Sequence, residues 1–218
     1  LHDALPICML YDKDIREPLF DFLEEAYGKL RIIEEKQVGK SRADIVMVLP
    51  GLLTGIEIKS DADSYVRLSR QVKDYDRFFD RNMVVAGSSH AAHVREHVPG
   101  WWGIITVEQN DREIDFYVLR QPQENPMMNW KRKLSLLWRP ELAHIQELTA
   151  MPRYKEKSKA FVIEKILAKV PGEQLSVLVS EELFERDYTR IEEVIRAYKI
   201  QNRPELKGRT GKRKRRRP

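Results

Sequence analysis

The chain has 218 residues, 33% of them charged and 42% hydrophobic, which describes a soluble globular protein with material for one good-sized domain or one and a half. No apolar run approaches a membrane span, and the single Cys8 excludes an internal disulfide framework and fits a reducing, cytoplasmic compartment. The net charge of +5 is modest but unevenly placed, with eight Lys or Arg among the last twelve residues.

Residues 1–8 are expected to be foreign to the fold. Leu1 to Ile7 match the in-frame translation of a widely used sequencing adapter, which puts the natural start at Met9; the alternative is a short N-terminal arm. From Asp14 to Tyr27, an apolar stripe of Ile15, Leu19, Phe22, Leu23 and Ala26 predicts an amphipathic helix, capped by Asp14 and stopped at Gly28. Glu17 lies off the centre of that stripe, either as a first-turn carboxylate favoured by the helix dipole or as a further carboxylate of a site. Leu30 to Glu35 reads as a strand. Gly39 to Arg42 reads as a loop, whose Lys40 and Arg42 are either solvated cations or phosphate contacts.

Ala43 to Leu49 and Leu52 to Lys59 read as two strands joined by the turn Pro50-Gly51, an antiparallel hairpin. That pairing brings Asp44 beside Glu57 and Lys59, and the last two share one face because they are two apart. Two carboxylates and an ammonium on one face are expensive to desolvate without a compensating ion. Asp44, Glu57 and the backbone carbonyl of Ile58 are oxygen ligands suited to Mg²⁺, with Mn²⁺ as a substitute. Lys59 is left to hold an attacking water or to stabilise charge developing on a phosphate. The plain alternative is a half-buried hairpin with solvated charges at its end.

Residues 60–64 cap a predicted helix running to about Phe79, with Asp61 and Asp63 as caps rather than ligands. On it Gln71 and Tyr75 sit four apart, on one face, as neutral donors for a phosphate; Tyr75 also has a reading as core. Arg67 and Arg70 are candidates for phosphate contacts. Asn82 to Ala86 is a short apolar strand, followed by a helix and a parallel crossover to a strand at Gly103 to Val107. His90, His93 and His97 have a spacing that places three imidazoles on one helical face, but no fourth zinc ligand is near. Trp101 and Trp102 are expected to pack over the sheet edge, and Glu113 to Leu119 to close the sheet.

These elements give a core over 9–120 and a linker over 121–126. A helical accessory domain over 127–203 follows, with helices expected at Leu134 to Trp138, Pro140 to Leu148, Ser158 to Val170, Leu175 to Phe184 and Ile191 to Tyr198. The step around Pro171-Gly172 leaves DNA binding, dimerisation and buttressing all open. The tail over 204–218, with Lys212, Arg213, Lys214, Arg215, Arg216 and Arg217, is expected to be disordered and to bind phosphates without sequence preference.

The set Glu17, Asp44, Glu57-Ile58-Lys59 and Gln71-x-x-x-Tyr75 resembles the PD-(D/E)XK nuclease superfamily. Its Q-x-x-x-Y element is similar to that of RecB-type and VRR-NUC-like members, and the run from Asp14 to Val107 is similar to an uncharacterised bacterial family within it. Ala43 stands where the superfamily name has proline. The resemblance implies an α/β, restriction-endonuclease-like αβββαβ core with a mixed sheet, and Mg²⁺-dependent hydrolysis of phosphodiester bonds. It implies Asp44 and Glu57 as metal ligands, Glu17 supporting the ion through water, and Lys59 acting on the attacking water. It implies Gln71, with Tyr75, orienting the scissile phosphate. DNA is the expected partner, in repair, recombination, mobile-element or defence traffic, with no nucleotide cofactor and no membrane, and with a homo-oligomer left open. The alternatives are a catalytically silent DNA-binding module of the same fold and an RNA nuclease, which differs in reading the 2′-hydroxyl.

Overall fold

Six strands form one sheet in their order along the chain: β1 (Arg31–Val38), β2 (Ser41–Leu49), β3 (Leu52–Lys59), β4 (Arg81–Gly87), β5 (Gly103–Asn110) and β6 (Glu113–Arg120). The computed structural model describes residues 9–110 and 113–187. The first three strands are antiparallel neighbours, β3–β4 and β4–β5 run parallel, and β6 returns antiparallel, so the sheet is mixed. Tight turns join β1 to β2 and β2 to β3, and Gly39 and Gly51 take positive φ of 60° and 73° there. The parallel pairs need crossovers. A 3-10 turn (Tyr65–Arg67) and α2 (Leu68–Phe78) link β3 to β4, and the short α3 (Ser88–Ala91) and α4 (Val94–His97) link β4 to β5. With α1 (Asp12–Tyr27) in front, α1-β1-β2-β3-α2-β4 is the αβββαβ order that the sequence predicts.

Each face of the sheet has its own core. Ile45, Met47, Ile56, Ile58, Val85 and Ile105 lie on the side covered by α1 through Ile15, Leu19 and Leu23. Val46, Val48, Leu53, Val84 and Ile104 lie on the other, against Val72, Tyr75 and Phe78 of α2 and the adjoining Phe79. A fully buried Leu or Ile on either face contributes about 1.5–3 kcal/mol relative to exposure. Gly55 sets how close α2 comes: a Cβ there would stand 2.3 Å from the Phe79 ring and 2.8 Å from that of Tyr75. The missing side chain seats Tyr75 wholly inside, 0% exposed.

Four further helices, α5 (Trp130–Ser135), α6 (Arg139–Leu148), α7 (Lys159–Lys169) and α8 (Gly172–Phe184), add their apolar faces to the α2-side core. Polar contacts tie them to the sheet. Lys133 donates to both oxygens of Asp80 at 2.8 Å, the Ser180 hydroxyl accepts from the Gly51 N–H at 2.8 Å, and the Phe184 carbonyl accepts from Arg31 at 2.9 Å. The segment 121–126 is therefore not a boundary between domains, and the described residues up to Glu185 form one compact unit. Its polar composition mimics a linker because Asn125 is buried, donating to the carbonyls of Asp76 and Phe79 at the end of α2 at 2.8 and 2.7 Å. The helix expected over Ile191 to Tyr198 and the tail over 204–218 lie outside the described residues.

Candidate functional site

Strict alternation on β1 and β2 breaks at the same level. Ile33 and Val38, five apart, both enter the α2-side core, as do Ala43 and Val46, three apart; a two-residue period would split each pair between the faces. Glu35 lies inside the first interval with φ 54°, a left-handed conformation that costs a non-glycine residue on the order of 1–3 kcal/mol. Asp44 lies inside the second, next to Ile45, whose partner across the hairpin is Ile56. Both carboxylates line a cleft of about 470 Å³.

The floor of the cleft is a buried network on the end of β3. Glu57 is 1% exposed and Lys59 3%. The Lys59 ammonium donates to Glu57 Oε1 at 2.6 Å and to Gln71 Oε1 at 3.2 Å, while Gln71 Nε2 donates to Glu57 Oε1. The Tyr75 hydroxyl donates to Glu57 Oε2 at 2.6 Å and accepts from the Asp44 N–H at 3.1 Å. Burial, and then the charges of Glu57 and Asp44, push the Tyr75 phenol well above its ordinary range, so it stays a donor. This corrects the expected role of Tyr75, while Gln71 still lines the cleft. Fully buried Tyr75 cannot touch a phosphate; with Gln71 it positions Glu57 and Lys59.

Asp44 is less completely matched. Its Oδ2 accepts from the Ile58 N–H at 2.9 Å, and its Oδ1 is 3.9 Å from Arg16 Nη2. Burial first, and the Glu57 charge second, raise its carboxyl to about 7, against the opposing pull of the Ile58 N–H and Lys59. Arg16, on α1, also reaches Asp12 at 2.7 Å, Glu34 at 3.2 Å and Glu35 at 2.8 Å. Burial opposes its charge, but Asp12, Asp44 and Glu35 outweigh that and hold its pKa above the usual arginine value.

Lys40, Arg42, Arg67 and Arg70 line the cleft above this floor. The β1–β2 turn that brings the first two is clamped to α2, because Asp74 accepts from the Lys40 N–H at 3.1 Å and the Ser41 hydroxyl at 2.7 Å. A Cβ on Gly39 would meet Asp74 Oδ1 at 2.5 Å. Arg42 also pairs with Glu35 at the surface.

Glu17 is the expected site residue that the structure leaves out: it is exposed and does not line the cleft. Ile15, Leu19 and Leu23 form the buried row of α1, and Asp12 and Arg16 flank it on the cleft side. Glu17 is a further turn of about 100° round the helix from Arg16, away from both. The helix cap also shifts, since Tyr11 is the N-cap and the Asp14 carboxylate accepts its N–H at 3.1 Å. The three histidines do not share a helical face, because the chain breaks between α3 and α4; Tyr65 stacks on His97 at 4.1 Å and meets His90 edge-on at 4.8 Å. Trp101 and Trp102 donate to Asp76 Oδ1 at 3.2 and 2.7 Å. Asp63 accepts from Ser60, and Asp61 pins Leu10 and Ser89. The lysines and arginines over 212–217 lie outside the described residues. Sequence reading missed Asp12, Arg16, Glu35 and Asp74. The four-residue spacing of Asp12 and Arg16 was a signal for the first two, whereas a glutamate gives no sign of positive φ.

The family described as bacteriophage P4 protein cII matches residues 9–203. The chain belongs to that family. Protein cII of Enterobacteria phage P4 is 25% identical to this cII-family chain over 138 residues, covering 62% of the chain and 52% of the relative. The chain thus spans about half the length of that curated relative. Among solved structures, a protein of unknown function from Silicibacter pomeroyi is similar at 16% identity and a TM-score of 0.36, over 86% of this chain and 89% of that one. SfsA from Pyrococcus furiosus, solved in complex with Ca²⁺, is similar at 16% identity and a TM-score of 0.31, over 51% and 62%. Both are distant likenesses, and the architecture rests on the strand pairing itself. No helix among the described residues of the cII-family chain is long and apolar enough to cross a membrane.

Proposed function

We propose that the chain is a PD-(D/E)XK-type nuclease that hydrolyses DNA phosphodiester bonds with Mg²⁺, or Mn²⁺ in its place. The observation that supports this best is one cleft with Asp44, Glu57 and Lys59 at its floor and Lys40, Arg42, Arg67 and Arg70 around them. Such a rim attracts a polyanion without reading its sequence.

The donors fit a hard cation. Among the described residues Asp44 Oδ1 has no hydrogen bond, and burial beside the Glu57 charge raises the pKa of that carboxyl. Among the described residues no three His, Cys, Asp or Glu side chains are grouped to hold a metal, so the set would be Asp44, Glu57, the Ile58 carbonyl and waters. A bound ion would polarise the scissile phosphate and acidify a water. The chain's own groups do the rest. Glu57 and Gln71 hold the Lys59 ammonium where it can stabilise the charge that develops on the phosphate, and Tyr75 fixes Glu57 against the Asp44 backbone. Membership of a phage protein family supports a mobile-element setting and bears on no activity.

One observation favours a catalytically silent DNA-binding scaffold as the second reading: both Glu57 oxygens are already engaged, by Lys59, Gln71 and Tyr75. Cleavage of end-labelled single-stranded, double-stranded and branched DNA, and of matched RNA, with Mg²⁺, Mn²⁺ or EDTA separates the readings. The expected result is metal-dependent DNA products that EDTA abolishes. Binding without cutting on any substrate would favour the scaffold, and cutting of RNA alone would move the assignment to an RNA nuclease.

A further inference from the structure

Arg16 stands where the nuclease reading expects a carboxylate from α1. Its side chain is 15% exposed and is held from three directions: Nε by Asp12 at 2.7 Å, Nη1 by Glu34 at 3.2 Å, and Nη2 by Glu35 at 2.8 Å. Nη1 also reaches the Asp44 carbonyl at 3.4 Å, and Nη2 is 3.9 Å from Asp44 Oδ1. Successive residues of a regular strand point to opposite faces, so Glu34 and Glu35 cannot both grip one guanidinium from an undistorted β1. The left-handed φ of 54° at Glu35 makes this double grip possible. The strain in β1 thus goes into fixing a cation among the carboxylates of the cleft.

We propose that Arg16 is the built-in cation of the cleft and that the site therefore takes up one divalent ion per chain. This rests on the metal-dependent reading given above. Lys59 already serves Glu57, and Arg16 serves Asp12, Glu34 and Glu35. Beside them Asp44 has no cation at hydrogen-bond distance among the described residues, since its nearest ion-pair contact is the 3.9 Å approach of Arg16. A pair of metal ions needs carboxylates to share between them about 3.5–4 Å apart. The guanidinium fills that place, and like charge excludes a second ion beside it.

Mn²⁺ titration of the full chain, followed by electron paramagnetic resonance and calorimetry, tests the count. The wild type is expected to bind one Mn²⁺, and Asp44→Asn to lose it. Arg16→Gln strips Asp12, Glu34 and Glu35 of their cation and is expected to bind two, whereas Arg16→Lys stays at one. A merely structural arginine would lose ions on substitution rather than gain one. Two ions in the wild type, or one in a folded Arg16→Gln variant, would overturn the role of Arg16 and leave the metal reading standing. No ion in the wild type would overturn both. The wild-type count decides alone if Arg16→Gln does not fold.

Discussion

Two groups of buried and half-buried carboxylates lie toward the two ends of α2, one by Gln71 and one by Asp76, and they are finished differently. Beneath the helices, Asp80 takes Lys133 on both oxygens and the Leu53 N–H at 2.8 Å, and Asp76 takes the Asn82 amide and both Trp101 and Trp102 indoles. In the cleft, the Asp44 carboxylate takes one hydrogen bond from the described residues and feels the charge of a second carboxylate, Glu57. Both groups bury costly charge. The closed one gives Asp80 a cation and gathers three neutral donors on one oxygen of Asp76, whereas the open one leaves charge facing a cleft that a ligand can enter.

The largest effect should come from breaking the closed group. Lys133→Met leaves Asp80 buried without its cation and should cost about 3–5 kcal/mol in urea denaturation, with some of that regained in the double variant that adds Asp80→Asn. Cleavage per folded molecule should not change, because Lys133 does not line the cleft. Lys59→Met, in the open group, should lower the cleavage rate by roughly two to three decades at nearly constant DNA affinity. Equal rates at saturating DNA would remove Lys59 from the chemistry.

Tyr75→Phe sharpens the boundary between the groups. Losing its bonds to Glu57 and the Asp44 N–H should slow cleavage about tenfold, in line with one hydrogen bond to a charged group. DNA affinity should hold; a matching loss of affinity would mean that Tyr75 touches the phosphate after all.

The smallest effect concerns pH. The Asp44 carboxyl is raised from 3.8 to about 7 in the folded chain, so between those values the folded state holds a proton that the unfolded state has released. Its contribution to stability is complete below about 4 and is lost as pH rises to 7. Measured in EDTA, the denaturation midpoint of the wild type should fall relative to Asp44→Asn as pH goes from 4.5 to 7.5. Adding Mg²⁺ at the upper end should reverse that fall in the wild type alone.

The sheet was legible because its signals are local. Pro50-Gly51 fixes the hairpin register, and that register, with Ile45 opposite Ile56, brings Asp44 to the level of Glu57. The gap between β3 and β4 is long enough only for a crossover. Depth was not legible. The spacing of Gln71 and Tyr75 gives their shared face, but Gly55 decides how far in Tyr75 lies, and that turns an expected phosphate contact into a support for Glu57. The apolar stripe of α1 likewise gives the buried row but not which flank meets the cleft, so Glu17 was expected where Asp12 and Arg16 stand. Asn125 made 121–126 look solvent-facing because a side chain that satisfies buried carbonyls reads, in sequence, like any other polar one.

The most direct test of the nuclease account compares Glu57→Gln with the wild type in paired assays of DNA binding and single-turnover cleavage with Mg²⁺. Gln keeps the shape and can still accept from Lys59, but it cannot supply a carboxylate to a metal. The account predicts nearly unchanged binding and a loss of cleavage of roughly two decades or more. Cleavage at the wild-type rate would contradict it.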